Sequence, residues 1–238
     1  MKTCSPEVIE LLKQVPTAPI TGLLLKKYGL RMRAIPGISP IDPAKCRFVG
    51  PAFTLRYVPM REDVALALDI GNPENAMLQA TQQIPAGSVF VMDMCGNGAV
   101  GGLGDVLTTR MMVRGVAGIV ADGGMRDVAE IRAMGMPTYC KGPAAPASPS
   151  ALIPIAIQQP IGCGGVLIFP GDIIVADEDG VAVVPAHLAE EVARQALEKE
   201  ALDGWVRKRV AEGGDILGLY PPNEANLERF RAWKAGQG

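Results

Sequence analysis

Two carboxylates and a guanidinium, Asp105, Asp127 and Arg126, fall within one glycine-rich stretch of a chain otherwise poor in reactive side chains. Asp105 follows Gly101-Gly102-Leu103-Gly104, and Arg126 and Asp127 close the turn that begins at Asp122. Each of the two acids stands at the start of an expected helix, where unpaired N–H groups and the helix dipole favour an anion. The bare backbone of the glycines lets a ligand approach closely. Together these groups make a place for a divalent cation holding an anionic substrate. The chain has a single histidine, His187, which follows Pro185 ahead of an expected helix and reads as a capping or surface residue. That argues against a Ser–His or Cys–His nucleophile and against a His-ligated zinc. Oxygen ligands remain, and they suit Mg²⁺ or Mn²⁺ with several retained waters. Lys141 is the one nearby lysine on which Schiff-base chemistry would have to rest.

The elements that must position these residues can be read around them. An apolar strand, residues 88–93, precedes the glycine loop, a short helix runs from about Asp105 to Arg114, and a second strand runs from Val116 to Ala121. The turn from Asp122 leads into another helix, so two strand ends and two helix N-termini face the same way. A short strand follows at 137–141. Upstream, residues 6–29 read as two helices broken around Pro16–Pro19. Val49 to Val58 reads as a strand interrupted by Gly50 and Pro51, a plausible edge or bulge. Asn72 to Gln83 reads as a helix with Asn72 and Pro73 as N-cap and first residue. Residues 143–150, rich in proline and alanine, are the most loop-like segment and a conceivable linker.

Beyond that loop, strands are expected at 152–157, 166–169, 172–176 and 181–184. Asp177-Glu178-Asp179-Gly180 reads as a hairpin turn rather than a metal loop, because its spacing fits no calcium-binding pattern. Long and short amphipathic helices follow at 187–210 and 223–234. The order β–α–β–α–β in the middle with hairpins after it implies a mixed α/β single domain, with two β layers and flanking helices.

Two motifs have competing readings. Gly96-x-Gly98-x-x-Gly101, with Asp122 ending the next strand, matches the dinucleotide-binding fingerprint of an oxidoreductase on paper. Against it, Asp93, Met94 and Cys95 separate the strand from the first glycine, and the following helix is short. Asp127-x-x-Glu130 matches a capping box with Asp127 as N-cap, which would leave Arg126 a solvated turn residue.

Composition narrows the class further. A net charge of −2 with 23 scattered basic residues offers no footprint for nucleic acid. Five cysteines without a C-x-x-C pair suggest a reducing compartment and no disulfide framework. No run approaches the length of a membrane span, and the N-terminus lacks the apolar core of a signal peptide, so a soluble cytoplasmic protein is expected.

Leu103-Gly104-Asp105, then Arg114-Gly-Val-Ala-Gly-Ile-Val-x-Asp122-Gly-x-x-Arg126-Asp127, resembles the signature of the family of regulator of ribonuclease activity A and 4-hydroxy-4-methyl-2-oxoglutarate aldolase. Blocks at residues 48–54, 164–166, 170–172 and 176–185 resemble it too, so the likeness spans most of the chain. It implies a swivelling β/β/α three-layer domain over residues 1–238, with flanking N- and C-terminal helices and a helical extension from about 187 to 238. It also implies a divalent-metal aldolase that cleaves 4-hydroxy-4-methyl-2-oxoglutarate or a related 4-hydroxy-2-keto diacid to pyruvate and decarboxylates oxaloacetate, working as a homotrimer or hexamer. By the resemblance Asp127 is a metal ligand, Arg126 contacts the substrate, and Asp105 holds metal-bound or catalytic water. The amides of Gly101, Gly102, Leu103 and Gly104 face the substrate carboxylate. A neighbouring subunit's glutamate approaches the metal. Glu200 is the best match and Glu198 competes; on a helix the two lie about 200° apart and cannot both face one site. The same family includes non-catalytic regulators that bind a ribonuclease or helicase.

Overall fold

Strand pairing converges on one long strand. The computed structural model describes residues 4–65 and 71–236. Its helices are α1 (Pro6–Leu12), α2 (Thr17–Tyr28), α3 (Glu62–Ala65), α4 (Ala76–Gln83), α5 (Asp105–Val113), α6 (Val128–Met134), α7 (Ala189–Ala211) and α8 (Glu224–Ala235). Its strands are β1 (Ser39–Pro40), β2 (Phe48–Pro59), β3 (Val89–Asp93), β4 (Gly118–Ala121), β5 (Gly124–Met125), β6 (Thr138–Cys140), β7 (Gly142–Pro143), β8 (Leu152–Ile157), β9 (Ile173–Asp177) and β10 (Gly180–Val184). The main sheet runs β1-β6-β4-β3-β2-β9-β10, with β8 beside β2. Strands β2, β3, β4 and β6 are parallel.

The length of β2 is what joins the layers. Its first part, Phe48 to Pro51, pairs antiparallel with β9, and its last part, Leu55 to Pro59, pairs antiparallel with β8. The strand is therefore central and continuous, not the interrupted edge that Gly50 and Pro51 suggest in the sequence. Both residues sit where they are tolerated. Pairing with β3 begins only at Ala52, so the missing N–H of Pro51 breaks no ladder bond there. A Cβ on Gly50 would lie 2.2 Å from the Gly87 carbonyl oxygen, so only glycine permits that approach.

Three apolar clusters show the layering. Phe90, Met92, Ile119 and Ala121 project from one face of the parallel strands against α4, α5 and α6. Val89, Val91 and Val120 project from the other face against Ile174, Ala176, Val181 and Val183 of the β9–β10 layer. Beyond that layer, α1, α2 and α7 pack on Ile173, Val175, Ala182 and Val184. The unbroken apolar run of β3 is what burial on both faces requires, at about 1.5–3 kcal/mol for each large side chain removed from water. This is the mixed α/β architecture with a curled sheet and flanking helices that the sequence implies.

Several local expectations need correction. The α4 cap is Asn75, whose side chain accepts from the N–H groups of Met77 (2.9 Å) and Leu78 (3.3 Å). Asn72 instead accepts from the Glu74 N–H in the preceding turn. Residues 166–169 form no strand, only a bridge between Ile161 and Ile168. Residues 143–150 are held against the glycine loop, where the Gly101 N–H donates to Pro146 O and the Ser148 N–H donates to Gly101 O. The Asp177 hairpin is as expected, and the Asp177 carboxylate also accepts from the Thr17 N–H and hydroxyl, both at 2.7 Å, at the start of α2. Among the described residues no single helix is long and apolar enough to cross a membrane.

Candidate functional site

The turn after β4 is shaped by its neighbours. Its central strand β5 pairs with β7, and a Cβ on Gly124 would meet the Ala144 Cβ at 2.6 Å. The Arg126 N–H donates to the Leu103 carbonyl at 2.9 Å, which ties this turn to the glycine loop after β3. Asp127 then adopts φ 51°, ψ 41°, a left-handed conformation that aspartate tolerates better than most residues. In that conformation the carboxylate makes no bond to its own helix. An N-cap needs extended backbone to reach the second or third N–H, so the capping-box reading fails. Asp127 Oδ2 instead accepts from the Asp105 N–H, at 3.3 Å, at the start of α5.

Asp105, Arg126 and Asp127 are thus brought together as the sequence suggests. The Asp105 carboxylate accepts from the Val106 N–H at 2.7 Å. Arg126 is exposed, and its guanidinium has no ion pair or hydrogen bond to protein among the described residues. A guanidinium that lines the same cavity as two carboxylates and pairs with neither is available for an anionic ligand.

The glycine loop needs a sharper reading. The Gly101 N–H donates to Pro146 O (2.8 Å) and the Gly102 N–H to Gly124 O (3.0 Å), so neither amide is free to face a substrate. The Leu103 and Gly104 N–H groups donate to no protein acceptor among the described residues. Of the four amides expected to face an anion, two are therefore left without a protein acceptor among the described residues. The first two glycines serve close packing: a Cβ on Gly101 would meet Arg126 Cγ at 2.4 Å, and one on Gly102 would meet Met94 Sδ at 2.7 Å.

Asp122 has a structural task that the fingerprint reading would not give it. It is buried, and its carboxylate accepts three backbone N–H groups: Met94 at 2.5 Å, Gly96 at 3.1 Å and Gly164 at 2.9 Å. Three of the roughly four acceptor sites of this buried carboxylate are taken by backbone, so the geometry argues against its holding a ribose hydroxyl. Lys141 donates to Gly96 O at 2.8 Å and does not line the cavity beside Arg126. His187 lies in a short turn ahead of α7. All five cysteines are free thiols.

A cavity of about 760 Å³ opens over these groups, lined by Gly101 to Leu107, Arg126 and Asp127. That volume suits a small ligand. Tyr57, Glu62, Asn75 and Ser148 also line it, and no local pattern marks them. They come from β2, α3, the α4 cap and the 143–150 loop, and only long-range pairing assembles them. The Tyr57 hydroxyl donates to Gly102 O at 3.2 Å, and complete burial pushes its phenol far above the ordinary tyrosine range. It stays protonated and props the loop.

The donor set bears on the expected metal. No group of three or more His, Cys, Asp or Glu side chains able to hold an ion occurs among the described residues of one chain. Asp127 and Asp105 supply two hard oxygen donors, too few for zinc but in keeping with Mg²⁺, which typically takes one or two carboxylates and completes its shell with water and substrate. Glu200 does not line the cavity; it lies on α7, 3.3 Å from Arg207. Glu198, its competitor, pairs with Lys234 of α8.

Comparison with known proteins places this geometry in context. The family model described as RraA-like, Aldolase/RraA, matches residues 7–183. A Halalkalibacterium halodurans protein provisionally named 4-hydroxy-4-methyl-2-oxoglutarate aldolase is 37% identical over 213 residues, 89% of this chain and 94% of that one. A Deinococcus radiodurans protein of the same provisional name is 32% identical over 173 residues, covering 72% and 90%. The crystal structure of a Streptomyces coelicolor protein, described as an unusual member of the RNase ES inhibitor RraA protein family, superposes with a TM-score of 0.77 at 34% identity, covering 87% of this chain and 98% of that one.

Proposed function

This chain belongs to the Aldolase/RraA family, and on that premise we propose that it is a divalent-metal-dependent lyase that cleaves a 4-hydroxy-2-keto acid to pyruvate and also decarboxylates oxaloacetate. The observation that carries this reading is the unpaired Arg126 guanidinium beside Asp127, Asp105 and the two free amides of Leu103 and Gly104. Both reactions break a bond to C3 and leave the pair of electrons as pyruvate enolate, so one site that stabilises that charge serves both. Arg126 and the free amides place fixed positive charge where it develops. Bound at Asp127, with Asp105 holding water beside it, Mg²⁺ or Mn²⁺ would supply Lewis acidity at the 2-keto oxygen. Asp105, acting through a water, takes the C4 hydroxyl proton as the C3–C4 bond breaks. The same relay returns a proton to C3 of the enolate.

Pyruvate release from oxaloacetate tests the reading. The expected result is turnover with added Mg²⁺ or Mn²⁺ that falls on the order of 100-fold with excess chelator. Full activity in chelator-treated protein would reject the metal requirement. No activity under any condition would favour the second reading, a binding protein for a ribonuclease, which the similarity to the Streptomyces coelicolor protein supports.

With two carboxylates per chain, the site also calls for a second copy, and by resemblance Glu200 is the group it lends. Mixing inactive Asp127→Asn chains with inactive Glu200→Gln chains is expected to restore pyruvate release, because mixed interfaces regain some intact sites. An active monomer on sizing would overturn the shared site, and a failure to complement would reject Glu200.

A further inference from the structure

The cavity has two chemically different walls. The first is the glycine loop, the start of α5 and the Arg126–Asp127 turn. The second is built from the end of β2, from α3 and α4, and from β8. It presents Met60, Met77, Ile153 and Pro154, with Glu62 as its one charged side chain among the described residues. Across both walls the lining charges among the described residues are three acids, Glu62, Asp105 and Asp127, against a single base, Arg126.

A 4-hydroxy-2-keto diacid carries a second carboxylate several bonds from the first. With Arg126 and the free amides holding the keto-acid end, the distal group must lie against the second wall. Among the described residues of one chain, no cation lines that wall. The nearest basic residue in sequence, Arg61, forks onto Asp63 with both bonds at 2.7 Å. From Arg61 to Arg110 the sequence contains no other Lys or Arg. Pressing an unpaired carboxylate against methionine and isoleucine costs its hydration, and Glu62 adds repulsion; an apolar substituent at the same place gains by leaving water.

We propose that the second wall selects 4-hydroxy-2-keto acids with an uncharged, apolar substituent at C4, and that Glu62 is the specificity-determining residue that disfavours a carboxylate within that substituent. This rests on the lyase reading above and narrows its substrate class from the diacids of the named relatives to monoacids. Specificity here comes from a repulsive group as much as from attractive contact.

Two stable keto acids of similar size isolate the effect, because neither can undergo the cleavage. 4-Methyl-2-oxopentanoate ends in two methyl groups and 2-oxoglutarate ends in a carboxylate. Their affinities are measured by calorimetry with Mg²⁺ present, on wild type, Glu62→Gln and Glu62→Lys, with oxaloacetate turnover followed on the same wild-type preparation. Wild type is expected to bind the branched monoacid at least about tenfold tighter. Glu62→Lys should narrow that ratio by about threefold or more, mainly through tighter 2-oxoglutarate binding, with Glu62→Gln between them. Glu62 is exposed, so both variants are expected to fold.

Equal or tighter binding of 2-oxoglutarate by wild type, alongside pyruvate release from oxaloacetate, overturns the selectivity and leaves the lyase intact. An unchanged ratio in both variants removes Glu62 from the proposal. Failure to bind either keto acid, with no pyruvate released, overturns the lyase reading and this inference with it.

Discussion

Asp127→Asn is expected to lower pyruvate release from oxaloacetate by about 1,000-fold or more, with the melting temperature nearly unchanged. The structure explains why fold and function should separate so cleanly at this residue. Asparagine enters the left-handed region about as readily as aspartate, so φ 51° carries no new strain. The one bond that the Asp127 carboxylate accepts among the described residues, from the Asp105 N–H, can be accepted by an amide oxygen equally well. What asparagine cannot supply is the negative charge next to Arg126 in the cavity. Arg126→Ala should lose about 100-fold or more for the complementary reason, and its unpaired guanidinium means that folding loses only packing over Gly101. Activity assays and thermal melts on the two variants check both statements. Near-wild-type turnover in Asp127→Asn would return this residue to a turn-forming role.

The sequence makes some of this site legible because its chemistry is local. Asp105, Arg126 and Asp127 each stand beside glycines at the boundary of an element whose apolar pattern is plain, and the structure joins those boundaries through Arg126 N–H to Leu103 O. The second wall is not legible in the same way. Tyr57 looks like any strand residue until β8 is laid beside β2, and Ser148 belongs to a loop that reads as a linker until its N–H bonds the Gly101 carbonyl. The same long-range pairing reverses the reading of Pro51. Proline signals an edge when only local propensity is weighed, but β2 changes partners at that residue and so has no bond for its nitrogen to make. Hydrogen-bond accounting in the glycine loop lies beyond sequence altogether. Whether an amide faces substrate or a carbonyl oxygen depends on Pro146 and Gly124, which no local pattern couples to Gly101 and Gly102.

Gly104→Ala is expected to reduce activity by about 100-fold or more, whereas Gly98→Ala should leave it within about twofold. The contrast lies in what each added methyl would meet. At Gly104 the backbone sits at φ −119°, ψ −172°, which alanine adopts freely, so the methyl brings no strain of its own. It would, however, lie 2.4 Å from Asp127 Oδ2, and the carboxylate must swing away from Asp105 to relieve the contact. At Gly98 the nearest atoms are Lys141 Cβ and Cδ, at 3.4 and 3.6 Å, which is ordinary contact. Some stability is expected to go with Gly104→Ala, about 1–3 kcal/mol as for other overpacked sites, so melts should accompany the rates. The dinucleotide fingerprint predicts the opposite order, since its middle glycine, Gly98 here, is where backbone must approach a pyrophosphate. Under that reading Gly98→Ala would abolish function, Gly104→Ala would be nearly neutral, and millimolar NAD would raise the melting temperature by mass action. The two substitutions therefore separate a loop that packs against a working carboxylate from a loop that cradles phosphate, and the geometry of Asp122, already holding three backbone N–H groups, favours the first.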